Sequence, residues 1–147
     1  MIHLKTVLLL SLFALIFGNT FGQTADIYLT INKIEGTDGQ LVIGIFDNST
    51  DFKEKVNPFK AAKLEVTDST VFYTFSDIPA GEYAMAAFHD ENSDGKVNVK
   101  SMKIPIEGVG VSGKKTGKLR PPKFEEMAFR LKNDTTIIIS LRYPGKP

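Results

Sequence analysis

Apolar and polar residues alternate with a period of two along most of this chain. Ile27, Leu29 and Ile31 alternate with Tyr28, Thr30 and Asn32, the pattern of a strand with one buried face. Residues 36–39 (GTDG) read as a turn. Leu41, Ile43 and Ile45 then continue as a second strand, with Val42, Gly44 and Phe46 on its other face. Residues 48–61 are less regular, and Pro58 forbids a long helix there, so a loop with one helical turn is expected. A short strand over 63–67, a turn at Asp68 and Ser69, and an aromatic, β-branched strand over 70–75 follow. Residues 83–88 (YAMAAF) are apolar on both faces, as in a central strand.

Beyond residue 90 the pattern fades. Residues 90–123 are rich in turn formers and read as a long loop. A short strand over 127–131, a turn at Asn133 and Asp134, and a closing strand over 135–143 complete the chain, with Ile137, Ile139, Leu141 and Tyr143 facing inward. No segment sustains a 3.6-residue period. About seven short strands with frequent turns predict an all-β, antiparallel sandwich of the immunoglobulin or transthyretin kind, with the long loop ahead of its last two strands.

The N-terminus falls outside this pattern. Lys5 precedes an apolar run over residues 7–17. A bilayer span needs about 20 apolar residues, so the run is short for an anchor and suits the core of an export signal. Thr20 and Gly22 supply the small residues before a cut at Gln23. Residues 1–22 are therefore expected to be a signal peptide, and 23–147 a single secreted or periplasmic domain with no anchor left after cleavage. A tether that stays uncut, or a buried helix, is the competing reading.

Charge and composition narrow the chemistry. Lys5 is one of 18 basic residues, so the processed chain balances its 17 acids. A nucleic-acid binder would show a basic excess. Cysteine is absent, which removes thiolate metal sites, a cysteine nucleophile and a lipid-anchored cysteine. His3 leaves with the leader, so His89 is the one imidazole of the processed chain. Multi-histidine sites, including those of transthyretin-like hydrolases, cannot be built from it.

The stretch HDENSDGKVN, residues 89–98, carries the most chemistry. It follows the D-x-[DN]-x-[DN]-G spacing of a calcium loop, with Asp90, Asn92 and Asp94 at positions 1, 3 and 5, and Gly95 at the sharp turn. Lys96 would offer its backbone carbonyl, and Asn98 stands at position 9. Alternate residues of a tight loop point inward, so these oxygens can converge on a hard cation. Position 12, usually a bidentate acid, is Ser101. Glu107 bending back, or water, would have to fill the gap, and calcium would bind at about 10⁻⁴–10⁻³ M. A solvated turn would choose the same residues.

Other motifs are weaker. Residues 108–113, GVGVSG, satisfy a G-x-G-x-x-G pattern, but Pro121 and Pro122 leave no room for the helix that phosphate binding needs. They read as a flexible glycine loop. Lys114, Lys115, Lys118 and Arg120 could meet an anionic glycan, a phospholipid head group or an acidic partner, or simply be solvated. His89 and Asp90 with Glu107 form the runner-up, catalytic constellation. Neighbours on a strand point to opposite faces, which speaks against a simple His–Asp pair.

IPAGEYAMAAFHDENSDGKVN, followed by IPIEGVGVSG and PPKFEEMAF, resembles the secreted bacterial family called domain of unknown function 2141. The resemblance runs from about residue 27 to 143. Its motif falls on His89, Asp90, Asn92, Gly95, Asn98, Pro105, Glu107, Gly108, Gly110, Ser112, Pro121, Pro122, Phe124 and Glu125. Val109 and Val111 stand where the family usually has aromatics, and Ser93-Asp94 replaces a commoner Gly-Asn, adding a charge. The resemblance implies an exported β-sandwich and supplies no reaction.

The sequence thus favours an exported, non-catalytic sandwich with a binding surface for a protein or glycan, stabilised by calcium through Asp90, Asn92, Asp94, Lys96 and Asn98. An enzyme using His89, Asp90 and Glu107, and a structural envelope protein, are the alternatives.

Overall fold

The computed structural model describes residues 22–113 and 120–146. All of the expected leader except Gly22, and Lys114, Lys115 and Lys118 of the cationic loop, lie outside the described residues. Among the described residues ten strands run in chain order: β1 (Thr24–Asn32), β2 (Gln40–Phe46), β3 (Lys60–Glu65), β4 (Thr70–Pro79), β5 (Gly81–Asp90), β6 (Val99–Lys100), β7 (Ile104–Pro105), β8 (Gly108–Val111), β9 (Phe129–Leu131) and β10 (Thr135–Ser140). Two short helices, α1 (Ser49–Glu54) and α2 (Phe124–Met127), lie between strands. No helix among the described residues is long and apolar enough to cross a membrane.

Eight of the strands form two layers, and β6 and β7 pair separately as a short hairpin. One layer is the three-stranded sheet β10-β1-β4. The other runs β3-β2-β5-β8, with β9 pairing the start of β5. The inward sets expected from the alternation meet between the layers: Ile27, Leu29 and Ile31 from β1, Leu41, Ile43 and Ile45 from β2, and Met85, Ala87 and Ile139 share one core. Each such aliphatic side chain contributes about 1.5–3 kcal/mol when fully buried, which is how a chain without disulfides holds together. The all-β sandwich is the fold that the pattern predicted.

Most pairings are antiparallel, but β1 and β10 run parallel, Ile27 opposite Thr135 through Asn32 opposite Ser140. Parallel neighbours need a long connection, and here nearly the whole domain supplies it. The expected single turn of helix is α1. Asn48 caps it by accepting the Asp51 N–H at 2.9 Å. It ends at Lys55, which takes the left-handed conformation (φ 56°). The outer face of the second sheet is covered by Phe52 of α1 and by Phe124 and Met127 of α2, packed on Phe46 and Ala84.

The glycine segment departs from expectation. Residues 108–111 are not a free loop but an edge strand paired with β5. Glycine is a poor strand former, so sequence pattern misses it. Packing explains it: a Cβ on Gly108 would stand 2.4 Å from the Tyr143 ring, and one on Gly110 would stand 2.5 Å from Ile139 Cγ2. The glycines are notches that admit these two side chains. Beside them, Val109 and Arg142 exchange backbone hydrogen bonds of 2.8 and 3.0 Å, joining the second sheet to the tail after β10.

Candidate binding site at the rim of the sandwich

β5 carries His89 and Asp90 to one end of the sandwich, and the pleat sends them to opposite faces. Both are fully buried (0 % exposed). His89 Nε2 lies 2.7 Å from the Asp38 carbonyl, and Nδ1 lies 2.8 Å from the Tyr143 hydroxyl. A carbonyl only accepts, so Nε2 donates to Asp38, and Nδ1 shares the second hydrogen bond with the Tyr143 hydroxyl. The same phenol oxygen accepts the Glu35 N–H at 2.9 Å. Burial is the main reason that the Tyr143 phenol titrates above its ordinary range, with Glu91 and Glu35 adding to it and the Glu35 N–H opposing. His89 therefore ties the β1–β2 turn to the C-terminal tail.

Asp90 faces the loop. Its Oδ1 accepts the Asp94 N–H at 3.0 Å, and its Oδ2 accepts the Gly95 N–H at 2.9 Å and the Gln40 side-chain amide at 3.0 Å. Glu107 does the same from the far side. Its Oε1 accepts the Glu91 N–H at 3.0 Å, and its Oε2 accepts the Asn98 N–H at 2.7 Å. Glu107 does bend back on the loop, as the missing twelfth ligand required, but it engages the loop backbone. Ser101, at that twelfth position, sits in the turn between β6 and β7.

With its backbone held this way, the loop turns a second set of groups outward. Asn92 Oδ1 accepts the Asp94 N–H at 3.1 Å and lies 3.4 Å from Asn98 Nδ2. Asp94 Oδ2 accepts from Asn98 Nδ2 at 3.1 Å and from Asn92 Nδ2 at 3.2 Å, and its Oδ1 accepts the Lys96 N–H at 2.9 Å. The Asn98 amide, then the Lys96 N–H, hold the Asp94 carboxyl below the usual carboxylate range. Asn92, Asp94 and Asn98 thus converge, and Asp90 lies one shared N–H away. For Lys96 the structure places the N–H on Asp94. Among the described residues no three His, Cys, Asp or Glu side chains group to hold a metal, and Asn98 turns its amide nitrogen, not its oxygen, toward Asn92 and Asp94.

Beside the loop lies a cleft of about 460 Å³, lined by Glu91, Asn92, Asn98, Ile106, Glu107, Gly145 and Lys146. Lys146 Nζ stands 2.8 Å from Glu91 Oε1 and 4.5 Å above the Tyr143 ring. Lys100 donates to the Gly145 carbonyl at 2.8 Å, fastening the tail on its other side. Sequence pattern had no signal for Lys146 or Gly145, which are far along the chain. Gln40 reaches Asp90 through the register of β2 on β5, which sequence pattern does not give. Arg120, the one described member of the cationic loop, is paired with Glu126 and not free to bind.

Fold and site together define an all-β sandwich domain with an acidic rim loop closed by two buried carboxylates. The chain belongs to the family described as uncharacterized protein conserved in bacteria (DUF2141), whose signature matches residues 29–139. No curated protein and no solved structure matches it.

Proposed function

We propose that the protein is an exported, non-catalytic binding domain whose rim cleft receives a polar ligand, a glycan or a segment of another protein, and whose acidic loop takes calcium. The observation that carries this reading is the division of labour around residues 90–107. Asp90 and Glu107 organise the loop backbone, leaving Asn92 and Asn98 on the cleft wall with Asp94 bonded to both. A catalytic reading is disfavoured by the same geometry. Both His89 nitrogens and both carboxylates of the runner-up constellation already hold structural partners away from solvent.

Calcium would be bound through Asn92 and Asp94, with Asp90, Asn98 and the Lys96 carbonyl completing an oxygen set. With a dissociation constant of about 0.1 mM, 2 mM calcium stabilises the fold by about 1.8 kcal/mol. Calorimetric melting in calcium, magnesium and chelator tests this. A midpoint that rises with calcium alone is the expected result, and one that calcium leaves unmoved reduces the loop to a self-bonded turn.

A further inference from the structure

We propose that the β6–β7 hairpin is a docking element for an anionic lipid surface. The hairpin projects from the acidic loop, with Val99 opposite Pro105 and Lys100 opposite Ile104, and the Ile106 N–H bonded to the Asn98 carbonyl at 3.0 Å. Nine large apolar side chains among the described residues are exposed, and four of them, Val97, Val99, Met102 and Ile106, fall on this one segment. A polar, solvated hairpin has no need of them, and their concentration marks an interaction surface.

The tip is the most exposed point. Met102 is 88 % exposed. It and Lys103 both take left-handed backbone conformations (φ 61° and 58°). Two successive non-glycine residues in that region are unfavourable. Glycine would relieve the strain at once, yet the tip carries a long, flexible apolar side chain and a cation.

Charge selects the partner. Residues 95–106 contain Lys96, Lys100 and Lys103 and no acid. Among the described residues no carboxylate forms an ion pair with any of the three. Lys100 is partly used by the Gly145 carbonyl and Lys96 acts on Asp94, so Lys103, beside Met102 at the tip, is the cation left for a partner. An apolar tip with an ammonium group beside it matches a bilayer in depth: Met102 and Val99 reach the acyl boundary while Lys103 stays at phosphate level. A single hairpin of this size gives weak, reversible attachment. The proposal rests on Val99, Met102 and Lys103 and not on Ile106, which lines the cleft.

The test is co-sedimentation of the exported, processed protein with vesicles, its N-terminus verified by mass spectrometry and chelator present to keep calcium out of the comparison. Vesicles containing a third phosphatidylglycerol are expected to bind it, and pure phosphatidylcholine vesicles are not. Raising sodium chloride to 0.5 M should release it. Lys103→Glu is expected to weaken binding about 25-fold, and Met102→Ser about tenfold. Both sites are exposed, so both variants should melt with the parent. Absence of binding, equal binding to neutral vesicles, or variants that bind like the parent would each overturn the proposal.

Discussion

Asp90 and Asp94 lie four residues apart in the same loop and do opposite work. Asp90 is buried and spends its oxygens on the Asp94 and Gly95 N–H groups and the Gln40 amide. Asp94 is exposed and shares its oxygens with two asparagine side chains and one local N–H. The first builds the loop; the second is what the loop presents. The difference shows that a ligand-like spacing can contain two roles, and that burial and partner type, not residue identity, separate them.

The contrast can be tested by removing each part. Asp90→Ala strands three donors, and Tm should fall by about 10 °C, corresponding to roughly 3 kcal/mol, in thermal melts without calcium. Tyr143→Phe removes the hydroxyl between His89 and the Glu35 N–H, and a loss of about 1.5 kcal/mol in chemical denaturation is expected. Asp94→Asn should leave the melting midpoint in chelator close to the parent's, yet abolish the calcium-dependent shift. If Asp94→Asn proved as costly as Asp90→Ala, the two carboxylates would be one structural unit and the distinction would collapse.

Much of the fold was legible because alternation is a direct record of burial. Ile27, Leu29 and Ile31 face the core as their spacing requires, and so do Leu41, Ile43 and Ile45. β8 was not legible, since its alternating glycines record the shape of Tyr143 and Ile139 and not their own preference. The parallel partnership of β1 and β10 was equally hidden, because alternation says which way a strand faces and nothing about its neighbour. At the site, the spacing of Asp90, Asn92, Asp94 and Gly95 located the turn. It offered Glu107 as a group that bends back, but could not tell that Asp90 and Glu107 close on backbone N–H groups, because such partners depend on tertiary placement.

The side-by-side arrangement of β1 and β10 has a consequence for assembly. β1 is the middle of its sheet, and one of its two neighbours is the last strand of the described domain. That layer cannot be finished by any partial chain, since closing it means bringing together segments from opposite ends of the domain, a slow step by loop-closure entropy. A chain emerging stepwise, from a ribosome or through a pore, stays half-built until its final strand arrives.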